Sequence, residues 1–134
     1  LSPQDFEAFA MPAARAVIRR VRRPGVPVIY FVNGIGPVVE AAARSEADVL
    51  GVDFRVRLSD VVERLGDGAV VQGNLDPLLL LGPEDLVRSR AEAVVAEGRA
   101  ARGHVFNLGH GITKETPPDR VSMLVEAVHA AGRR

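Results

Sequence analysis

Val28, Val49 and Val70 stand 21 residues apart, each inside a short run rich in β-branched residues and each followed by a helical pattern. This repeat constrains the fold more than any other feature. The runs cover residues 26–32, 47–52 and 69–72, and a fourth at 104–108 follows after a longer helix. The helical patterns that follow them cover 37–44, 58–65, 83–101 and 118–130. Continuous apolar runs without strict alternation mark strands covered on both faces, and a helix between successive strands lets them lie parallel. Four consecutive β/α units are the expectation. Ahead of them Phe6, Phe9, Ala10, Ala13, Ala16, Val17 and Val21 recur at helical spacing, and Pro12 is placed to kink or split that helix.

The chain is long enough for one domain of this kind: 134 residues, 47% apolar and 25% charged, so it can bury a core. Seventeen basic and seventeen acidic side chains cancel, which leaves no general field for nucleic acid or an anionic membrane. There is no cysteine, which excludes disulfides, thiolate nucleophiles and Cys-containing zinc sites built from this chain alone. No signal peptide is visible, and no apolar run approaches the ~20 residues of a membrane helix. A soluble, cytoplasmic protein is therefore expected. Opening on Leu1-Ser2-Pro3 without methionine suggests a piece of something longer, with Ser2 and Pro3 at a helix start.

Chemistry-bearing residues gather at one end of the repeat. The carboxyl ends of the four runs read Asn33-Gly34, Asp53, Gly73-Asn74-Leu75-Asp76-Pro77 and Asn107-Leu108-Gly109-His110, while the amino ends are plainer turn material. Loops at the carboxyl ends of parallel strands are where α/β proteins collect their functional groups. Gly34-Ile35-Gly36 with Asp53 19 residues on has the outline of a dinucleotide fingerprint. Val39 replaces its third glycine, however, and Pro37 removes an N–H from the helix terminus that would hold the pyrophosphate. A tight turn into a helix is the plainer reading. Asp53 has three uses open to it: accepting from substrate N–H groups, pairing with Arg55 or Arg57, or capping the helix that begins near Ser59. Asp76 before Pro77 reads as a helix N-cap, which leaves Asn74 as the side chain free to face a ligand.

Of the three histidines, His104 starts a run at the end opposite the loops, and His129 lies on the last helix. His110 alone sits in a loop, between Gly109 and Gly111, where its imidazole can donate to a carboxylate or move a proton near neutral pH. With no second histidine or repeated carboxylate at ligand spacing beside it, no metal is expected.

Two motifs here resemble the carboxyl-terminal half of the uroporphyrinogen decarboxylase family. They are Gln72-Gly73-Asn74-Leu75-Asp76-Pro77 and Phe106-Asn107-Leu108-Gly109-His110-Gly111, the latter followed by Thr116-Pro117-Pro118 and Val128-His129. Leu1-Ser2-Pro3-Gln4-Asp5-Phe6, Val28-Ile29-Tyr30-Phe31 and Gly51-Val52-Asp53-Phe54 extend the likeness over nearly the whole chain, in order. The resemblance implies the carboxyl-terminal half of a (β/α)8 TIM barrel, with residues 1–134 as part of one barrel domain whose amino-terminal half is absent. It implies a homodimeric enzyme without metal or organic cofactor. That enzyme converts the tetrapyrrole uroporphyrinogen III to coproporphyrinogen III in haem biosynthesis by removing four acetate carboxyl groups, and the fragment alone would be inactive. The family's site histidine carries over to His110. From their strand-end positions, Asn74, Asn107 and Asp53 are expected to join it as substrate-binding residues.

The sequence departs from the family at three places. Phe54 stands where tryptophan is common, Arg55 where a smaller residue is usual, and the Asn33-Gly34 turn lacks a basic residue. The alternatives are a non-catalytic half-barrel, a small doubly wound binding module, or a zinc-dependent methyltransferase of the same superfamily, against which the lack of cysteine counts.

Overall fold

The computed structural model describes residues 1–133. The amino-terminal helix is split as Pro12 predicts: α1 (Pro3–Asp5) leads into a wide π-helical turn, Phe6–Ala10, and then α2 (Met11–Val21). Ser2 caps the start, its hydroxyl accepting from the Asp5 N–H at 3.1 Å. In the wide turn the Met11 N–H bonds back to the Phe6 carbonyl, which accommodates a proline that has no N–H to continue the ordinary ladder. The extra residue also rotates everything after it. The buried line is therefore Phe6, Met11 and Ile18, whereas Phe9 (73% exposed), Val17 (61%) and Val21, which the regular spacing placed inward, face solvent.

Four strands follow, β1 (Ile29–Phe31), β2 (Val49–Gly51), β3 (Val70–Leu75) and β4 (Gly103–Leu108), in one parallel sheet of order β1-β2-β3-β4. The helices between and after them are α3 (Val39–Ala43), α4 (Leu58–Leu65), α5 (Glu84–Gly98) and α6 (Pro118–Gly132). Short 3-10 turns at Gly36–Val38 and Pro77–Leu81 lead into α3 and α5. The strand read as 69–72 runs on through Leu75, in register with all of β4, so Asn74 belongs to the sheet and pairs with Asn107. Gly73 permits this continuation. Its φ is +145°, and a Cβ there would stand 2.6 Å from the Val52 carbonyl oxygen.

The sheet has two unlike faces. On one, Leu50 and Val71 pack with Val39, Leu58, Val61, Val87, Ala91 and Leu124 from the helices to make the core. Fully burying an aliphatic side chain of this size contributes roughly 1.5–3 kcal/mol. The other face carries the register row Phe31, Gly51, Gln72 and Val105. Among the described residues no helix covers it: Ile29, Phe31 (43%) and Val105 (47%) are exposed. The Phe31 side chain lies against Gly51, where an added Cβ would come within 3.1 Å of it. Four parallel strands backed by helices on one face, with the other face bare, are half of a (β/α)8 barrel. Among the described residues no helix is long and apolar enough to cross a membrane.

Candidate functional site

The four carboxyl ends of the strands lie at one end of the sheet, and their loops are tied to one another from below. Asp53, just past β2, is 0% exposed. Its carboxylate accepts from the N–H groups of Gly34, Ile35 (3.2 Å) and Arg55 (2.9 Å), and the Arg55 guanidinium stands 3.5 Å from it. The same carboxylate thus fastens the β1 loop to the β2 loop and occupies the very N–H groups a dinucleotide phosphate would need. Of the three uses open to Asp53, the structure selects pairing with Arg55, adds the turn of its neighbour, and leaves no face toward a substrate.

Asn74 is also turned inward. Its side-chain amide donates to the carbonyls of Asp53 (2.9 Å) and Val56 (2.6 Å) and is buried, so it pins the β2 loop and does not stand free. The expectation of a free side chain failed because β3 ends three residues beyond the run read at 69–72. Asp76 caps the following turn as expected, accepting from the Leu78 N–H at 2.9 Å.

His110 and Asn107 stay open. The Gly109 N–H bonds to the Leu75 carbonyl at 2.8 Å, extending the β3–β4 ladder by one step. There the β2 loop presses against it so closely that a Cβ on Gly109 would lie 2.3 Å from the Phe54 nitrogen. Only glycine admits that approach, and it delivers the exposed His110 onto the bare side of the sheet. The imidazole meets the Phe31 ring edge-on, centroids 6.5 Å apart at 72°. The loop after β4 therefore reaches the side chain that ends β1. Asn107 is exposed, with its carbonyl oxygen accepting from the Leu108 N–H at 2.9 Å and its NH2 group without a protein partner among the described residues.

The other histidines stand apart. His104 Nε2 is 2.8 Å from the Gly73 carbonyl oxygen, and its ring fills the space over Gly98, while His129 is exposed on α6. The sequence assigns no role to Phe31 and gives Asn33 only a place among the strand ends, yet Phe31 meets His110 and Asn33 accepts from Arg55. A cavity of about 480 Å³ opens beside the same loops, lined by Arg55, Arg57, Asn74, Asp76, Arg90 and Glu97 among others, and neither His110 nor Asn107 lines it.

Half a parallel β/α barrel with polar side chains gathered at the carboxyl ends of its strands is the architecture of a barrel enzyme's catalytic end. The protein "methyltransferase from Methanosarcina mazei" superposes with a TM-score of 0.82 at 23% identity, covering 97% of this chain and 38% of that one, a likeness of fold. The chain belongs to the uroporphyrinogen decarboxylase family, whose model, "Uroporphyrinogen decarboxylase (URO-D)", matches residues 1–131. Relatives carrying the name uroporphyrinogen decarboxylase include those of Carboxydothermus hydrogenoformans, 41% identical over 96% of this chain, and Desulfotalea psychrophila, 42% over 96%. That of Nocardioides sp. is 43% identical over 99%. The chain spans 37% to 38% of the length of these three relatives.

Proposed function

We propose that this chain supplies the carboxyl-terminal four β/α units of a cytoplasmic, homodimeric enzyme that decarboxylates uroporphyrinogen to coproporphyrinogen without a metal or organic cofactor. The observation that carries the reading is the position of His110, exposed beside Phe31 at the open end of the sheet, within a family match that spans residues 1–131.

Losing CO₂ from a pyrrole acetate leaves an electron pair on the methylene carbon. Protonating the pyrrole ring first makes the ring the sink for that pair as the C–C bond breaks; a second proton then converts the exocyclic methylene to methyl, and the ring gives up the first proton to restore the pyrrole, so one proton is consumed per CO₂ released. The protein's part is to hold carboxylates, deliver protons and stabilise the cationic ring. His110 donates a ring N–H to a substrate carboxylate and so orients it. Asn107, with its free NH2 group, is a second donor on the same side. Asp53 and Asn74 act from beneath, by fixing the loop that backs Gly109.

The test joins residues 1–131 to the amino-terminal portion of the Carboxydothermus relative and measures coproporphyrinogen formation. Turnover is expected, and His110→Asn should lower kcat/KM by about 10²-fold. The 134-residue chain alone should form no product. An inactive chimera that is folded would count against the decarboxylase reading, and an unaffected His110→Asn variant would remove the histidine from the site.

A further inference from the structure

Arg55 is a cation of the β2 loop whose role the contacts beneath it do not exhaust. Its side chain is 54% exposed, yet it is held on three sides. One guanidinium nitrogen donates to the Asn33 side-chain carbonyl at 2.7 Å, the same nitrogen lies 3.5 Å from the buried Asp53 carboxylate, and the guanidinium carbon sits 4.5 Å from the centre of the Phe54 ring. Surface arginines normally lose substantial rotamer entropy on binding an anion. One already stacked and hydrogen-bonded has lost much of it beforehand, while its remaining N–H donors stay free for a bidentate carboxylate contact.

Arg55 is linked to His110 through one strand and one backbone approach. Asn33, which holds Arg55, comes two residues after Phe31, which meets His110. Phe54, on which Arg55 stacks, follows the buried Asp53 and backs onto Gly109, next to His110. We infer that Arg55 is a substrate-binding residue, a preset clamp for one carboxylate of a polycarboxylate ligand whose neighbouring carboxylate is held by His110. This rests on the decarboxylase reading for the identity of the ligand but not for the existence of the clamp.

The experiment uses the chimera described above, with Arg55→Gln, Arg55→Lys and, as a control cation paired to Glu97, Arg57→Gln. Arg55→Gln should raise KM for uroporphyrinogen about tenfold with kcat within twofold, and reduce the salt dependence of KM, since one fixed charge near the ligand is gone. Arg55→Lys should recover part of the loss, and Arg57→Gln should change neither quantity. A merely structural Arg55 would lower thermal stability without touching the salt dependence. If Arg55→Gln leaves KM and its salt dependence as in the parent, the clamp is refuted while the decarboxylase reading stands. If the parent forms no product but binds uroporphyrin, and Arg55→Gln weakens that binding tenfold, the clamp stands and the activity reading falls. Loss of neither binding nor turnover on Arg55→Gln, or no binding by the parent, overturns it.

Discussion

Asn74 illustrates how a polar strand-end side chain can be used up in holding a loop. Its amide gives two hydrogen bonds to loop carbonyls in a buried setting. Asn74→Ala would leave both acceptors without their partner, at a cost of about 2–3 kcal/mol in unfolding free energy, measurable by urea titration. Asn74→Asp should cost more at neutral pH, because a carboxylate would then face two carbonyl oxygens. A loss below about 0.5 kcal/mol for either variant would show that the loop is held by something else. The strand-end motif draws attention to the residue, but the direction of its side chain is not legible there. Nothing in Gln72-Gly73-Asn74 announces that Gly73 adopts a φ of +145° and carries the strand onward. Asn33 and Arg55 likewise read as two unrelated departures from the family pattern, whereas they are in contact at 2.7 Å.

At the level of elements, the helices were the most readable part. Both α4 and the start of α6 fall where periodicity and Pro118 put them. The exception is α2, whose buried face departs from the regular spacing because the π-turn at Phe6–Ala10 shifts the register by one residue. That helix is tied to the segment before β2 by ion pairs the pattern did not suggest, Arg22 with Asp48 at 3.0 Å and Arg19 with Glu46. The Asp48 carboxyl is held below the usual carboxylate range first by the Val28 N–H and then by Arg22, and Glu46 is lowered by Arg19. A carboxyl lowered on folding adds stability that is present above its unfolded value, near pH 4, and is lost as pH falls through the folded value. Stability should therefore decline on acidification below about pH 4. Asp48→Asn should flatten that decline, as followed by thermal melting across pH. An unchanged pH profile in the variant would contradict the assignment. Both carboxylates are solvent-exposed, so the effect is small.

For the molecule as a whole, the notable property is what is left bare. β1 and β4 each have a strand neighbour on one side only, and the sheet face bearing Ile29, Phe31 and Val105 has no cover among the described residues. Unpaired edges beside an apolar face favour association, and a net charge of zero does nothing to oppose it. The chain on its own should self-associate in sedimentation velocity, and Val105→Lys, placed on that face, should shift it toward monomer. A parent that stays monomeric at all concentrations, or a variant that associates equally, would show that the bare face is not the cause.

The four β/α units, their order and the grouping of polar residues at the carboxyl ends of the strands follow from sequence alone, because they depend on local periodicity and turn chemistry that repeat along the chain. Which of those polar residues face inward was decided by tertiary structure. Asp53 and Asn74 find their partners 18 to 21 positions away on neighbouring strands and loops. His110 meets a ring that ends the first strand of the sheet. Such contacts depend on strand register and on how closely two backbones approach at Gly109, and neither leaves a periodic trace in the order of the residues.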